Sequence, residues 1–389
     1  MEAARRDLTR MRESSARWRE LRYERATGVD GYDYDRNAAR RAQVLWALQY
    51  DRGPEDLPLV RWLAGQEARC RREAPFQGLT EEIQLAGFLL AGYRQLPDVW
   101  LHWEIKRANF DTWCGYDIEH LFAAGVRATI AFVRDSGHAD RDDVLERLLD
   151  QQGRPGVSEA DLAEWALHRQ SSFPADPAAE DPLTWVDRAK LAGDVELARR
   201  WLDSCAAGRP RDKDTLTQLS YQLAELGAFA EAASARRESL VFADNAWDTA
   251  SACQELAGLE REAGDHRAAW AALRECRRAL EDVPGWPNVG LGRMYVEELF
   301  LLAGSADGEL AGVVFTEADR QAGVLPRMPL VMVRAAAEAA GKVGSRTRAE
   351  HYRRLGAAEQ RRIDVDRGRA ADRAPEPERD PARDQSEPG

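Results

Sequence analysis

Apolar residues recur along this chain at spacings of three and four, which gathers them on one face of a helix. Leu216, Leu219, Leu223 and Leu226 form one such stripe; Phe229, Ala232, Ala233 and Leu240 form another just beyond Gly227. The rhythm predicts a helix ending at Gly227 and a second starting directly after it. The arrangement repeats. Gly193 is followed five residues later by Ala198, Gly227 by Ala232, Gly264 by Ala269 and Gly344 by Ala349. The first three glycines stand 34 and 37 residues apart, the period of a stacked helix pair.

Both residues of the beat have a physical reason. Glycine ends the first helix because it enters the left-handed region without a Cβ clash. The alanine falls early in the second helix, where two backbones press together and a larger side chain does not fit. A further pair is expected over residues 289–323, with Tyr295, Leu299 and Leu302 leading to Gly304 as the turn and Glu309 at the alanine's place. A last pair is expected from Pro329 to Gly341 and from Arg346 to Ile363, its outer helix polar as at the end of a solenoid.

Upstream the beat is missing, though helical signals are dense. Residues 2–26 read as one charged helix with a thin stripe of Leu8, Met11, Trp18, Leu21 and Tyr23, and Gly28 to Asp35 as a turn. Arg36 to Gln49 is a helix. Further starts fall at Asp56 or Pro58, at Thr80 with Glu82 and Gln84, at Asp98, at Asp117 (running from Ile118 to about Arg134), at Asp140 and at Ser158. The expected organisation is a charged N-terminal helix and turn (1–35), a helical domain (36–170), a proline-rich linker (171–182), helical repeats (183–363) and a disordered tail (364–389) whose composition buries almost nothing. The expected fold class is all-α, an α-α superhelix preceded by a helical N-terminal domain.

The turn motifs carry a resemblance. Gly227-Ala228-Phe229-Ala230-Glu231-Ala232, Gly264-Asp265-His266-Arg267-Ala268-Ala269 and Gly193-Asp194-Val195-Glu196-Leu197-Ala198 resemble the Gly-Asp-Tyr-x-Glu-Ala turn of tetratricopeptide repeats. Pro210 falls where that family closes its repeat. The first-helix signature is poorer: the family's early Trp is Leu216 or Cys253, and its Gly and Tyr are Ser220 and Leu223, or Ala257 and Glu260. The resemblance covers about half the chain and implies architecture rather than function. It also implies a groove lined by first helices, at Asp187, Lys190, Thr217, Tyr221, Glu225, Gln254, Arg261 and Glu262. The segment 97–125 is similar to one in uncharacterised bacterial proteins, with no activity to carry over.

Composition narrows the picture. Alanine, leucine, arginine and glutamate dominate, and arginine outnumbers lysine 51 to 4, a bias ascribed to a GC-rich genome. A net charge of −12 disfavours a broad nucleic-acid surface. Cys70, Cys114, Cys205, Cys253 and Cys276 are odd in number and unpaired in spacing, which suits a reducing cytoplasm. The charged first 25 residues lack a signal peptide's apolar core, and no run approaches a membrane span.

Two places carry candidate chemistry. In 97–125, His102, Glu104, Asp111, Cys114, Asp117 and His120 interleave with tryptophans. Asp117, His120 and Cys114 are residue types that zinc accepts, but the spacing lacks CxxC or HxxxH; the alternative is capping aspartates, a buried cysteine and core tryptophans. Glu104, Asp111 and a histidine form the acid–base version. The second place is the mixed-charge groove, suited to a protein or peptide segment. The expectation is a non-enzymatic binding scaffold without cofactor or metal. Its alternatives are a peptide-sensing regulator, or an enzyme centred on 97–125.

Overall fold

The computed structural model describes residues 2–28, 33–74 and 78–371, with side chains as far as Val365. The fold is all-α, with consecutive helices packed pairwise and one short β-hairpin among the described residues. The chain divides into two units, 1–201 and 202–389.

In the first unit, α1 (Glu2–Glu13) packs its Leu8 and Met11 into the core beside Leu21. The helix expected over 2–26 stops at Ser14, whose hydroxyl accepts the Ala16 N–H and so competes with the helical ladder. Residues 15–21 form a 3₁₀ turn. Strand β1 (Arg25–Thr27) pairs antiparallel with β2 (Asp33–Asp35), inside what reads as helix end and turn; residues 29–32 of that turn lie outside the described residues. Buried Arg41 secures the hairpin, binding Asp35 at 2.6 Å and Glu67 at 2.6 Å. It lies on α2 (Ala38–Tyr50), which shares a core with α3 (Leu57–Glu73) and α4 (Glu81–Ala91).

Helix α5 (Val99–Lys106) is followed by the short α6 (Phe110–Gly115), and a second core gathers under α5, α7 (Val126–Arg134), α8 (Arg141–Leu148) and α9 (Glu159–Ser172). The helix expected over 118–134 is broken. Residues 118–122 are 3₁₀, and Gly125, at φ +107°, restarts the chain as α7. Neither Asp98 nor Asp117 caps by its side chain, because arginines claim both: Arg61 takes Asp98 at 2.6 Å and Arg169 takes Asp117 at 2.7 Å. Ser158 does cap α9, reciprocally with Asp161. In the proline-rich stretch 171–182, the Pro174 carbonyl and Glu180 both accept from Gln49. Then come α10 (Pro182–Leu191) and α11 (Val195–Ala207).

The second unit holds α12 (Lys213–Glu225) with α13 (Phe229–Ser239), α14 (Ala246–Glu262) with α15 (His266–Glu281), α16 (Gly290–Ser305) with α17 (Gly308–Ala322), and α18 (Leu330–Lys342) with α19 (Arg346–Ala371). Helix α19 runs into the stretch 364–389 expected to be disordered; residues 372–389 lie outside the described residues.

Gly227, Gly264 and Gly344 here, like Gly193 in the first unit, all have φ between +73° and +83°. At each, the glycine N–H and the next N–H fold back on the helix end, as in Gly227 to Ala224 (2.9 Å) and Ala228 to Leu223 (2.9 Å). Ala198, Ala232, Ala269 and Ala349 are buried, as the packing argument requires. The 304–309 turn differs. Gly304 stays within α16, the extended backbone of Ala306 ends that helix, and the small buried residues are Ala306 and Ala311. The offset of five survives, moved two residues along.

Candidate functional site

Within the second unit, α12 and α14 with the end of α13 bound an open cavity of about 980 Å³. Three large side chains stand at it with their apolar surface in water: Tyr221 (61% exposed), Trp247 (45%) and Met294 (49%). Each follows from its helix. Tyr221 is two residues before the buried Leu223 on α12, so it falls on the opposite face. Trp247 is in the first turn of α14, next to the cap that Asn245 makes to the Asp248 N–H at 2.9 Å.

Charge surrounds this apolar surface. Lys213 donates to Asp248 at 2.7 Å, which raises the lysine pKa and lowers that of the carboxyl. Arg236 on α13 is buried, meeting Glu255 at 2.7 Å and Thr217 at 3.0 Å. Two buried polar atoms at the cavity, the Arg236 Nε and the Gln254 Oε1, have no hydrogen-bond partner. A buried polar atom without a partner is costly.

Of the groove residues expected from sequence, Thr217, Tyr221 and Gln254 line this cavity. Arg261 instead donates to Glu298 at 2.6 Å and to Glu262 at 2.6 Å, so its guanidinium is spent within the unit. Glu225 is exposed at the end of α12 and does not line the cavity. Asp187 and Lys190 lie in the first unit, paired at 2.8 Å. Sequence reasoning missed Arg236, Trp247, Glu255 and Met294. Helix α14 has 17 residues where α12 has 13, so Trp247 lies ahead of the repeat's frame and escapes a transfer made from Gly264 backward.

The 97–125 set separates. His102 and His120 come together in the closed core of the first unit, rings 5.5 Å apart. Tyr116 joins them, its hydroxyl 2.8 Å from the His102 Nδ1 and its ring stacked 4.2 Å from His120. Gly87 makes this possible, since a Cβ there would meet the tyrosine hydroxyl at 2.2 Å. Burial depresses both imidazoles, His102 well below its ordinary value and His120 to about 3. The Nε2 of each has no partner. Nearby Lys106, also buried, donates to the Tyr116 carbonyl at 2.6 Å, and burial lowers its pKa.

Asp117 lends this cluster only its backbone, 3.2 Å from the His120 Nδ1, for its carboxylate serves Trp165 and Arg169. Glu104 is half-exposed opposite Arg72, and Asp111 and Cys114 are exposed. Among the described residues no group of histidine, cysteine and carboxylate side chains is arranged to hold a metal ion. No family model matches the chain, and no curated protein matches it.

Proposed function

We propose that the protein is a non-enzymatic scaffold that holds a peptide or protein segment in the cavity between α12 and α14. The observation that carries this reading is the pairing of exposed Tyr221, Trp247 and Met294 with the partnerless atoms of Arg236 and Gln254. Aromatic side chains supply apolar area at small entropic cost and carry most binding energy at interfaces. An amide and a guanidinium are the groups that read a peptide backbone and its polar side chains. The four glycine–alanine turns support reading the helix pairs as tetratricopeptide-like repeats, which bind along their first helices. Among the described residues no helix is long and apolar enough to cross a membrane, and the five cysteines are all free thiols. Both support a cytoplasmic placement.

The test is selection of peptides from a displayed random library against the full chain. Selected peptides should bind the double variant Tyr221→Ala, Trp247→Ala at least about tenfold more weakly, with its unfolding temperature unchanged. Added salt should weaken them too, since Lys213, Asp248 and Glu255 are solvent-facing. Peptides that bind both proteins equally would put the interface elsewhere.

A further inference from the structure

A second cavity, in the first unit and independent of the groove, has the build of a small-molecule site. It measures about 380 Å³, within the usual span for such sites. Phe88 of α4 and Leu162, Ala163, Trp165 and Ala166 of α9 give it apolar walls. The Trp165 Nε1–H is committed to Asp117 at 2.7 Å, which leaves the indole to serve the cavity as apolar surface.

Two arginines line the same space, and one of them is placed at a structural cost. Arg94 follows the end of α4 at φ +52°, the one left-handed non-glycine among the described residues. At Gly193, Gly227, Gly264 and Gly344 the chain answers the same backbone demand with glycine. An arginine kept in that conformation is strained, and such strain collects where a side chain is needed. Its guanidinium has no hydrogen-bond or ion-pair partner among the described residues. Arg52 lies against Gly92, where an added Cβ would come within 2.6 Å of its Nη1. It donates from that atom to the Leu89 carbonyl at 2.8 Å and covers the Tyr93 ring, which leaves further N–H donors unused. Glu159, the one carboxylate in the lining among the described residues, accepts the Val126 N–H at 2.9 Å and caps α7.

We infer that this cavity binds a small apolar monocarboxylic acid, its aryl or branched body between Phe88, Leu162 and Trp165 and its carboxylate on Arg52 and Arg94. Guanidinium groups match a carboxylate with two parallel hydrogen bonds, and the apolar walls reject a bare anion.

Calorimetric titration of the full chain with phenylacetate and indole-3-acetate tests this, with their primary amides and inorganic phosphate as controls. The acids should bind, the amides at least about tenfold more weakly, and phosphate alone not at all. Arg94→Gly keeps the left-handed backbone and removes the guanidinium, so it should lose the acid while unfolding at the same temperature or higher. Leu162→Trp should block the space. The inference is overturned if neither acid binds at millimolar concentration, if acid and amide bind alike, or if Arg94→Gly binds as the parent does.

Discussion

Arg236 on α13 and Glu255 on α14 form an ion pair of 2.7 Å whose two ends differ in surroundings: the arginine side chain is buried and the glutamate is half-exposed. The carboxylate rehydrates readily when its partner goes; the guanidinium does not.

The pair therefore responds asymmetrically. Arg236→Ala removes the bond to Thr217 and the packing of a buried stem, at about 1–3 kcal/mol. Glu255→Gln leaves the buried guanidinium without its counter-charge and should cost more, about 3–5 kcal/mol. Urea unfolding of the full chain measures both. Equal losses would mean that the arginine is as hydrated as its partner.

Ala232 and Ala230 stand two residues apart on α13, the first buried and the second exposed. The Ala232 carbonyl also accepts the Ser220 hydroxyl at 2.9 Å, which records how closely α12 approaches. Ala232→Leu should destabilise by about 1–3 kcal/mol through overpacking. Ala230→Leu should be near neutral. A reversal would shift the register of the helix pair.

Arg41 sits between two carboxylates that it alone joins among the described residues, Asp35 of the hairpin and Glu67 of α3. Arg41→Met should cost about 3–5 kcal/mol, because it strands the buried Asp35 carboxylate, whereas Glu67 keeps Arg71. Hydrogen exchange at 25–27 and 33–35 should rise with it. Intact protection there would show that backbone pairing alone holds the hairpin.

Acid should weaken the first unit through His102 and His120. Their folded pKa values lie below the unfolded value of about 6.5. As pH falls below that value the unfolded chain takes up protons that the folded chain refuses, so stability falls. It is fully present above the unfolded pKa. The limiting slope is roughly 1.4 kcal/mol per pH unit for each histidine. Lys106 and Arg169 act with burial on His120, and Asp117 opposes through its backbone. His120→Phe keeps the stack on Tyr116 and should flatten the slope between pH 6 and 4 by about one proton. An unchanged slope would show that the imidazole is already hydrated.

The helix pairs are legible in sequence because one spacing encodes two requirements at once, a left-handed turn and a close approach. Gly227 with Ala232 states both. Gly304 states neither, since its φ is helical and the turn passes through Ala306, whose role depends on where Leu302 closes the last bond. The break at Ser14 is local, made by its hydroxyl on the Ala16 N–H, whereas the break at Gly125 is a tertiary choice, made by the packing of 118–122. In the groove, Tyr221 follows from periodicity, whereas Arg236 belongs to a second helix and reaches the cavity only because α13 packs on α14. His102 and His120 show a spacing that suits chemistry equally well as a core; only burial separates the two readings.

The glycine turns have a kinetic side. At Gly227, Gly264 and Gly344 every closing bond joins residues three to five apart, so each hairpin sets its own bend without distant help. Loops this short close in well under a microsecond, on the order of 10–100 ns. Growth of the second unit is then a matter of adding neighbours, with no obligatory first pair. The interior helices α14 and α16 are braced from both sides and should open last. The α18–α19 hairpin, with a neighbour only behind it among the described residues, opens first.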